Sequence, residues 1–406
     1  MRIGIGLNLF QPDAGGVANY VVTLLRHWPE FGGGHELVLF TFDHNEAMLA
    51  QLPPEAKRGE IRLRTQEDML AHLDKIDLYF CPFNSLWPRP VPLPTVLTFT
   101  DMQERFFPDF FTPTQLKDRF HHYDWSLRMA DVVIAISEFT RRCCIEIVGI
   151  APEKVRTIHL APDDLPSPAI PEGWIREGWE KFLYYPANFW DHKNHATLLR
   201  ALRRLHDNGL PVRCVFTGSM FGREAEWQAV LQETGTTALV RHLGRRPRAE
   251  LSWLFHYARG LVLPSRFEGF GIPVVEAMHT ACPVACSGGT SLPEVAGQAA
   301  LFFDPTNVDD VADAIAKLWS DDSLCRELIA NGKERASLFT PRRLVEAHVA
   351  AFEFACRRYR PWLYWYRRLV QLPLSRKSRT SLRPRERVAA QRLLHQLDRS
   401  ASVRSS

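Results

Sequence analysis

Short apolar runs alternate with helical patterns along most of the chain, and this alternation constrains the fold more than any other feature. Strands that alternate with helices are typical of parallel, doubly wound sheets, because parallel neighbours need a crossover between them. In the first 165 residues we predict strands at 2–8, 36–42, 77–81, 95–100, 132–136 and 155–158. We predict helices at 17–28, 114–129 and 138–148, where apolar residues recur at helical spacing.

The proline-containing stretch 161–171 interrupts the pattern, and a second series of strands and helices follows it. Its predicted strands are 182–185, 212–217, 239–242, 261–263, 283–285 and 300–303. Its predicted helices are 194–206, 224–233, 273–279, 308–319 and 322–335. The sequence therefore predicts an α/β protein with two Rossmann-like domains, 1–165 and 166–340. A final helix and an aromatic segment occupy 341–366, and a basic tail occupies 367–406.

Composition indicates an ordinary globular protein, with 46% hydrophobic and 24% charged residues among 406. No uncharged apolar run is long enough to span a bilayer. Residues 1–8 are too few and too polar for a signal peptide and are predicted to form the first strand. The eight cysteines form neither a C-x-x-C pattern nor a zinc-binding spacing. We therefore expect a reduced, cytoplasmic location.

The tail is strongly basic, with fourteen Lys and Arg against two acidic residues from Cys356 to Ser406. Since the whole chain carries only +4, the remaining residues are net acidic. Aromatic residues lie between arginines at 360–368, a pattern that suits an anionic membrane surface, here the inner face of the cytoplasmic membrane. The alternative is a disordered, solvated tail whose aromatic residues pack on the first domain. Nucleic acid would also match the charge, but no nucleic-acid-binding motif supports it and none is expected as a partner.

The stretch 264–276 carries the strongest chemical signal. It follows a short apolar run and leads into a helix, with Glu268 in the loop and Glu276 inside the helix. Gly269 and Gly271 between them allow a ligand to approach the backbone closely. The start of the following helix is a place where amides bind an anion. This arrangement suits a sugar nucleotide, with amides for the diphosphate and carboxylates for the hydroxyl groups of the sugar and ribose.

Three further loops follow predicted strands. Gly15 and Gly16 lie after the first strand, where a turn of backbone amides favours a phosphate, although two glycines alone are weak evidence. Lys193 precedes the helix at 194–206, and its charge would neutralise a departing nucleoside diphosphate. Asp101 follows the strand at 95–100.

The stretch 264–276 resembles the E-x7-E signature of family 4 glycosyltransferases, and the similarity continues through 283–287, 291–297 and 299–305. Residues 186–195 resemble a form seen in bacterial members of the family. The resemblance implies the GT-B fold, in which a cleft separates an acceptor-side domain, 1–165, from a nucleotide-sugar-binding domain, 166–340, and the last helix crosses back to the first domain. It also implies retention of the anomeric configuration. At Thr100 the family has histidine, so a sugar-contacting role there is in doubt, whereas Asp101 is kept.

From the residues and the resemblance together we predict a retaining hexosyltransferase. GDP-mannose is the first candidate donor, and a glycan or a lipid-linked oligosaccharide of bacterial surface polysaccharide synthesis is the expected acceptor. No Asp-x-Asp pair lies in a suitable loop, so we expect neither a metal nor another cofactor. The alternatives are a GT-B sugar-nucleotide epimerase and a catalytically silent, membrane-docked scaffold. The predicted roles are ribose binding by Glu276, sugar binding by Glu268, charge neutralisation by Lys193, positioning by Asp101, and diphosphate binding by the amides of Phe270, Gly271 and Ile272.

Overall fold

The computed structural model describes residues 1–11, 15–65, 67–88, 91–367, 369 and 381–402, with side chains in the last helix described as far as residue 394. The chain forms two compact units. Unit 1 comprises Met1–Asp163 and Phe339–Leu393, and unit 2 comprises Asp164–Leu338 and Leu394–Ser406.

Unit 1 contains a parallel sheet in the order β3-β2-β1-β4-β5-β6-β7. Strand β1 pairs with a neighbour on each side, so that Ile5 lies opposite Leu39 on one side and Phe80 on the other. Most strand residues are buried and apolar, as expected for a sheet that helices cover on both faces. The strands are β1 (Arg2–Gly6), β2 (Glu36–Thr41), β3 (Glu60–Arg62), β4 (Leu78–Cys81), β5 (Thr95–Phe99), β6 (Val132–Ala135) and β7 (Val155–Thr157).

The helices of unit 1 come from both ends of the chain. Helix α12 packs on α1, where the buried His348 Nε2 lies 2.6 Å from the Tyr20 hydroxyl oxygen. This contact holds α12, which follows residue 340, against α1 within unit 1. The helices are α1 (Gly16–Phe31), α2 (Glu46–Leu49), α3 (Pro113–Met129), α4 (Glu138–Arg142), α12 (Pro341–Arg358), α13 (Pro361–Tyr366) and α14 (Pro384–Ser402), of which α14 runs beyond the limit of unit 1.

Unit 2 contains a second parallel sheet in the order β10-β9-β8-β11-β12-β13. Chain order reverses between β8 and β11, and ligands of open α/β sheets bind beyond the carboxyl ends of the strands at such a reversal. The strands are β8 (Leu183–Pro186), β9 (Cys214–Thr217), β10 (Val240–His242), β11 (Gly260–Leu263), β12 (Val284–Ser287) and β13 (Ala300–Phe303).

Crossover helices connect these strands. Helix α5 packs against α6, and α7 packs against α8. Because crossovers between parallel strands are right-handed, α5 and α6 cover the face of the sheet opposite to α7 and α8. The helices are α5 (His195–Asp207), α6 (Glu224–Thr234), α7 (Arg248–Tyr257), α8 (Ile272–His279), α9 (Leu292–Ala296), α10 (Val308–Ser320) and α11 (Asp322–Ala336).

The architecture confirms the predicted α/β class with two doubly wound parallel sheets. Predictions about local structure were wrong or incomplete at several places, and helix α7, Arg248–Tyr257, had no predicted counterpart. The third strand, Glu60–Arg62, was missed because it has no buried run. The predicted helix at 138–148 ends its α-helical part at Arg142 and continues as a π-helical turn, Cys143–Ile147. Within the predicted basic tail, α14 occupies Pro384–Ser402.

None of the helices in the part of the chain that the structure describes has the length and apolar composition needed to cross a membrane.

Candidate active site

Two loops meet at the strand-order reversal of unit 2. One follows β8 and carries Lys193; the other follows β11 and carries Glu268. The Lys193 Nζ donates a hydrogen bond to Glu268 Oε1 at 2.7 Å, so the two side chains form a hydrogen-bonded ion pair. Their side chains are only 16% and 11% exposed, and the charges are therefore poorly screened by water. The structure thus brings together two of the predicted site residues, 75 positions apart in sequence.

Asn194 fixes the position of the lysine loop. Its backbone lies in the left-handed region, with φ 61°, which an asparagine tolerates better than most residues. Its amide nitrogen donates to the carbonyl oxygens of Pro264 at 3.0 Å and Pro305 at 2.7 Å. A single side chain therefore ties together the loops that follow β8, β11 and β13. The Tyr185 hydroxyl adds a hydrogen bond to the carbonyl oxygen of Lys193.

The glutamate loop is fixed by two hydroxyl side chains. The backbone N–H of Glu268 donates to Thr290 Oγ1 at 3.1 Å. The hydroxyl of Ser291 lies 2.9 Å from the carbonyl oxygen of Glu268 and 3.0 Å from that of Phe270. These contacts orient the short loop between β11 and α8 before any ligand binds.

Helix α8 begins where the sequence predicts an anion site. Gly271 is its N-cap, with φ 101°, a conformation that side-chain-bearing residues rarely adopt. A Cβ at this position would lie 2.5 Å from Leu292 Cδ2. Glycine is therefore required here for both conformation and space. The helix starts at Ile272, one residue before the predicted start, and its first amides and dipole favour a negatively charged ligand.

Glu276 lies in the second turn of α8 and is mostly buried. Its Oε1 accepts a hydrogen bond from Arg248 Nη1 at 2.6 Å. Arg248 begins α7 and is about one-third exposed. This arginine was not among the predicted site residues. Arg248 reaches Glu276 because α7 packs on α8, and the sequence does not show that packing.

Three predicted residues lie in unit 1. Gly15 caps α1 with φ 61°, and Gly16 is the first residue of that helix. The preceding residues 12–14 of the predicted phosphate loop lie outside the described residues. Asp101 follows β5, and its Oδ1 accepts a hydrogen bond from the backbone N–H of Gln103 at 3.3 Å.

Thr100, where the family has histidine, is buried beside Asn84. Its backbone N–H and its hydroxyl both donate to Asn84 Oδ1, at 2.7 and 3.0 Å. Thr140 Oγ1 donates to the carbonyl oxygen of Thr100 at 3.3 Å. Thr100 therefore fastens two loops of unit 1, and its hydroxyl is already committed within the protein.

A buried ionic cluster follows Asp101, which the sequence analysis missed. Arg105 donates to Glu104 Oε1 at 3.0 Å and to Asp124 Oδ1 at 2.5 Å, and its guanidinium lies over the ring of Phe120. Burial raises the pKa of Glu104 above its ordinary value, and the nearby Arg105 and Arg119 only partly oppose the shift. These buried ion pairs hold the segment after β5 in place.

The described residues contain no group of three or more His, Cys, Asp or Glu side chains placed to hold a metal ion. Metal independence remains a prediction.

Two family models match the chain and between them cover most of it. The model for "Glycosyltransferase Family 4" matches residues 14–164, and the model for "Glycosyl transferases group 1" matches residues 169–335. The second model includes Lys193, Glu268 and Glu276.

Individual relatives agree with the family models. The O-antigen chain mannosyltransferase B of Escherichia coli is 28% identical over 360 residues, 80% of this chain and 92% of the relative. The serotype-specific mannosyltransferase WbdA of Escherichia coli is 35% identical over 91 residues, 22% of this chain and 11% of WbdA. Anabaena HepE, solved with UDP and glucose, superposes with a TM-score of 0.66 at 17% identity, over 86% of this chain and 98% of HepE. That likeness shows the fold alone.

The two parallel sheets, the glutamates of the β11–α8 segment and the two family matches lead to one conclusion: the chain belongs to glycosyltransferase family 4, has the GT-B fold, and is a hexosyltransferase.

Proposed function

We propose that this enzyme is a retaining, metal-independent mannosyltransferase that uses GDP-mannose and extends a glycan or a lipid-linked oligosaccharide in bacterial surface polysaccharide synthesis. One observation carries the proposal: the Lys193–Glu268 pair, 2.7 Å apart, at the strand-order reversal beside the start of α8. A nucleotide sugar presents matching groups, since a diphosphate needs cations and amides and a sugar needs carboxylate acceptors.

In this proposal the diphosphate lies at the start of α8, against the amides of Phe270, Gly271 and Ile272. The Lys193 ammonium has three donors, so it can keep Glu268 and also contact a phosphate oxygen. As the glycosidic bond breaks, negative charge grows on the leaving diphosphate. Lys193 then stabilises the transition state more than the ground state, which is the condition for catalysis.

The carboxylates have separate roles. Glu268 would accept hydrogen bonds from hydroxyl groups of the transferred sugar, since its loop lies next to the lysine. Glu276 would accept them from the ribose, since Arg248 already orients its carboxylate at 2.6 Å. In unit 1, Gly15 and Gly16 would approach the donor diphosphate, and Asp101 would position a sugar hydroxyl of the donor or acceptor.

The choice of mannose and of a polysaccharide acceptor rests on similarity to mannosyltransferases of O-antigen synthesis. Retention of configuration rests on the family. The described site offers no evident nucleophile for a double displacement, since Glu268 and Glu276 are assigned in this proposal to hydroxyl groups of the sugar and the ribose. Front-face attack within one ion-pair-like step fits that arrangement. Charge neutralisation by Lys193 and helix α8 would replace a divalent metal.

The test is a thermal-shift and turnover screen of the purified chain against GDP-, UDP-, ADP- and dTDP-sugars, with and without EDTA. We expect stabilisation and slow hydrolysis with GDP-mannose, unchanged by EDTA and lost in Glu276→Ala. Glu327→Ala, at an exposed position of helix α11, is the matched control for a changed surface carboxylate. NMR of the released sugar or product reports the anomeric configuration. Turnover with another nucleotide sugar would refute the choice of donor, and binding without turnover of any donor would favour a silent scaffold.

We also propose that the segment after α12 contacts an anionic membrane surface from the cytoplasmic side. Trp362, Trp365 and Leu369 are 62%, 57% and 69% exposed, which does not agree with aromatic residues packed on unit 1. The neighbouring Arg367 is buried and donates to both oxygens of Asp131, at 2.7 and 3.2 Å. The exposed aromatic residues are therefore attached to a folded unit, and basic residues on either side of them match anionic headgroups.

Co-sedimentation with vesicles tests this contact. We expect the protein to bind vesicles of phosphatidylethanolamine and phosphatidylglycerol more than vesicles of phosphatidylcholine, with less binding at high salt. Trp362→Ala combined with Trp365→Ala should weaken binding without changing donor hydrolysis. Equal binding to both vesicle types, or none, would refute the proposal.

A further inference from the structure

Two aromatic rings form an exposed pair beside the proposed donor site. Trp190 lies in the loop after β8, and Phe221 lies in the loop after β9. Their ring centroids are 5.6 Å apart with an interplanar angle of 8°, so the rings are nearly parallel. Trp190 is 39% exposed and Phe221 is 44% exposed. Together they present an apolar surface at the carboxyl edge of the sheet of unit 2. We call this pair the aromatic platform.

Backbone and side-chain hydrogen bonds join the two loops that carry the platform. The N–H of Phe189 donates to the carbonyl oxygen of Ser219 at 2.9 Å, and the N–H of Ser219 donates to Asn188 Oδ1 at 2.8 Å. Phe221 has φ 51°, a conformation that is strained for a bulky residue and persists only where its surroundings impose it. Nearby, Arg223 binds Asp191 at 2.7 Å. The platform is therefore a fixed structure with an imposed strain, a feature that is common at ligand sites.

The same loop connects the platform to the proposed reacting centre. The ring of His192 lies 5.5 Å from that of Trp190, and its carbonyl oxygen accepts a hydrogen bond from the N–H of Arg266 at 2.7 Å. Lys193 follows His192 directly and pairs with Glu268. Along the sheet, the platform bridges the loops of β9 and β8, and the ion pair bridges those of β8 and β11. The two features therefore lie on neighbouring loops at the same edge of the sheet.

The platform is on the wrong side of this centre to hold the nucleotide. Glu276, Arg248 and the start of α8 belong to helices α7 and α8. The loops of the platform lead into α5 and α6, which cover the opposite face of the sheet. A ligand at the platform would therefore be adjacent to the transferred sugar but directed away from the diphosphate.

We infer that the aromatic platform is a subsite for a pyranose ring of the acceptor glycan. One face of a pyranose carries C–H groups that stack on aromatic rings, and its hydroxyl groups would find polar partners in Asp191, Arg223 and His192 of the same loops. This inference rests on the enzyme's being a glycosyltransferase and does not depend on which donor it uses.

Saturation-transfer difference NMR with simple glycosides tests the subsite. The probes are the methyl α-pyranosides of mannose, glucose and galactose, each at millimolar concentration with the full chain. We expect ring-proton signals from at least one glycoside. Trp190→Ala should reduce its affinity about fivefold or more, the effect typical of an aromatic contact residue, and Trp190→Phe should restore most of it. Glu268→Gln should leave the signal in place, because that residue belongs to the donor-sugar site.

Further measurements distinguish this result from misfolding and from failure of the proposed function. Phe221→Asn removes the second ring with a residue that tolerates the same backbone conformation, and should weaken glycoside binding as well. Thermal stabilisation by the preferred nucleotide should be the same in Trp190→Ala as in wild type. A glycoside signal that persists in Trp190→Ala, one lost only in Glu268→Gln, or no signal with any of the three probes would overturn the inference. Absence of nucleotide stabilisation in wild type would instead refute the proposed donor.

Discussion

The imidazole of His195 gives this protein a predictable sensitivity to acid. His195 is the first residue of α5, directly after the loop that carries Lys193. Its ring lies among aromatic side chains, with centroid distances of 5.0 Å to both Tyr185 and Phe189, 5.9 Å to Phe216 and 6.1 Å to Trp227. Burial, reinforced by the nearby Lys193 charge, lowers the pKa of His195 from 6.5 to about 3.

The lowered pKa of His195 determines both the sign and the size of the pH effect on stability. A histidine whose pKa is lower in the folded state binds protons more weakly there than in the unfolded chain. Its contribution to stability is therefore complete above pH 6.5 and is lost as the pH falls from 6.5 toward 3. One such group changes the free energy of unfolding by about 1.4 kcal/mol per pH unit. Between pH 6.5 and pH 4.5 we expect a loss of roughly 2.5 kcal/mol from His195.

Comparison with His195→Gln isolates this contribution, because glutamine stays neutral at every pH. Urea unfolding of both proteins is measured at pH 7.5, 6.5, 5.5 and 4.5. Since the two units can unfold separately, pulsed hydrogen exchange on peptides of α5 reports the unit that contains the histidine. His348, whose pKa burial lowers to about 4, lies in unit 1 and is unchanged in both proteins, so its contribution cancels.

The expected result is a stability difference between the two proteins that is constant above pH 6.5 and changes by roughly 2.5 kcal/mol down to pH 4.5 in favour of the glutamine variant. Donor binding should weaken over the same range in wild type, because α5 anchors the loop of Lys193. A difference that is independent of pH from 7.5 to 4.5 would show that the imidazole is not held neutral by burial, and would refute the reasoning.

Three other substitutions test the framework of the site. Gly271→Ala places a methyl group 2.5 Å from Leu292 Cδ2 at φ 101°, so we expect a loss of about 2 kcal/mol or more in thermal unfolding and weaker nucleotide binding; a variant as stable as wild type would contradict the assigned conformation. Asn194→Ala removes three side-chain hydrogen bonds and disfavours the left-handed backbone, which should cost about 2–3 kcal/mol and lower kcat of donor hydrolysis; unchanged kcat would show that the loops do not need this residue. Arg367→Met leaves Asp131 buried without its cation, and we expect a loss of about 3 kcal/mol in urea unfolding of unit 1; no change would mean that the segment after α12 is not attached as described.

Much of the fold could be predicted because buried parallel strands are apolar along their whole length. β11, Gly260–Leu263, and β12, Val284–Ser287, are fully buried and lie within two residues of their predicted positions. β3, Glu60–Arg62, is an edge strand whose residues are exposed or half-buried, so no apolar run marked it. The π-helical turn at Cys143–Ile147 was missed for a different reason. Its residues continue the helical pattern, and the extra residue in the turn leaves no trace in the spacing.

The candidate site, like the fold, has a part that the sequence could predict and a part that it could not. Glu268, Gly271 and Glu276 lie close together in sequence, so a strand–loop–helix pattern was sufficient to place them on one surface. The partners of these residues come from elsewhere in the chain. Arg248 reaches Glu276 only because α7 packs on α8. Thr290, in a loop 22 residues after Glu268, accepts a hydrogen bond from the N–H of Glu268. Contacts of this kind depend on how the crossovers pack, and no local pattern encodes them.

The strongest argument for function at this edge is energetic. Two charges that are 16% and 11% exposed lose much of their hydration, and the attraction between them does little more than offset that loss. An apolar pair of similar size would stabilise the fold as well or better, so the Lys193–Glu268 pair is poorly explained by stability alone. Binding of a diphosphate and a sugar would change this comparison between the ion pair and an apolar pair. These ligands give each charge further partners within the same low-dielectric surroundings, where such contacts are strong. The pair therefore keeps both side chains oriented at a cost that donor binding can offset.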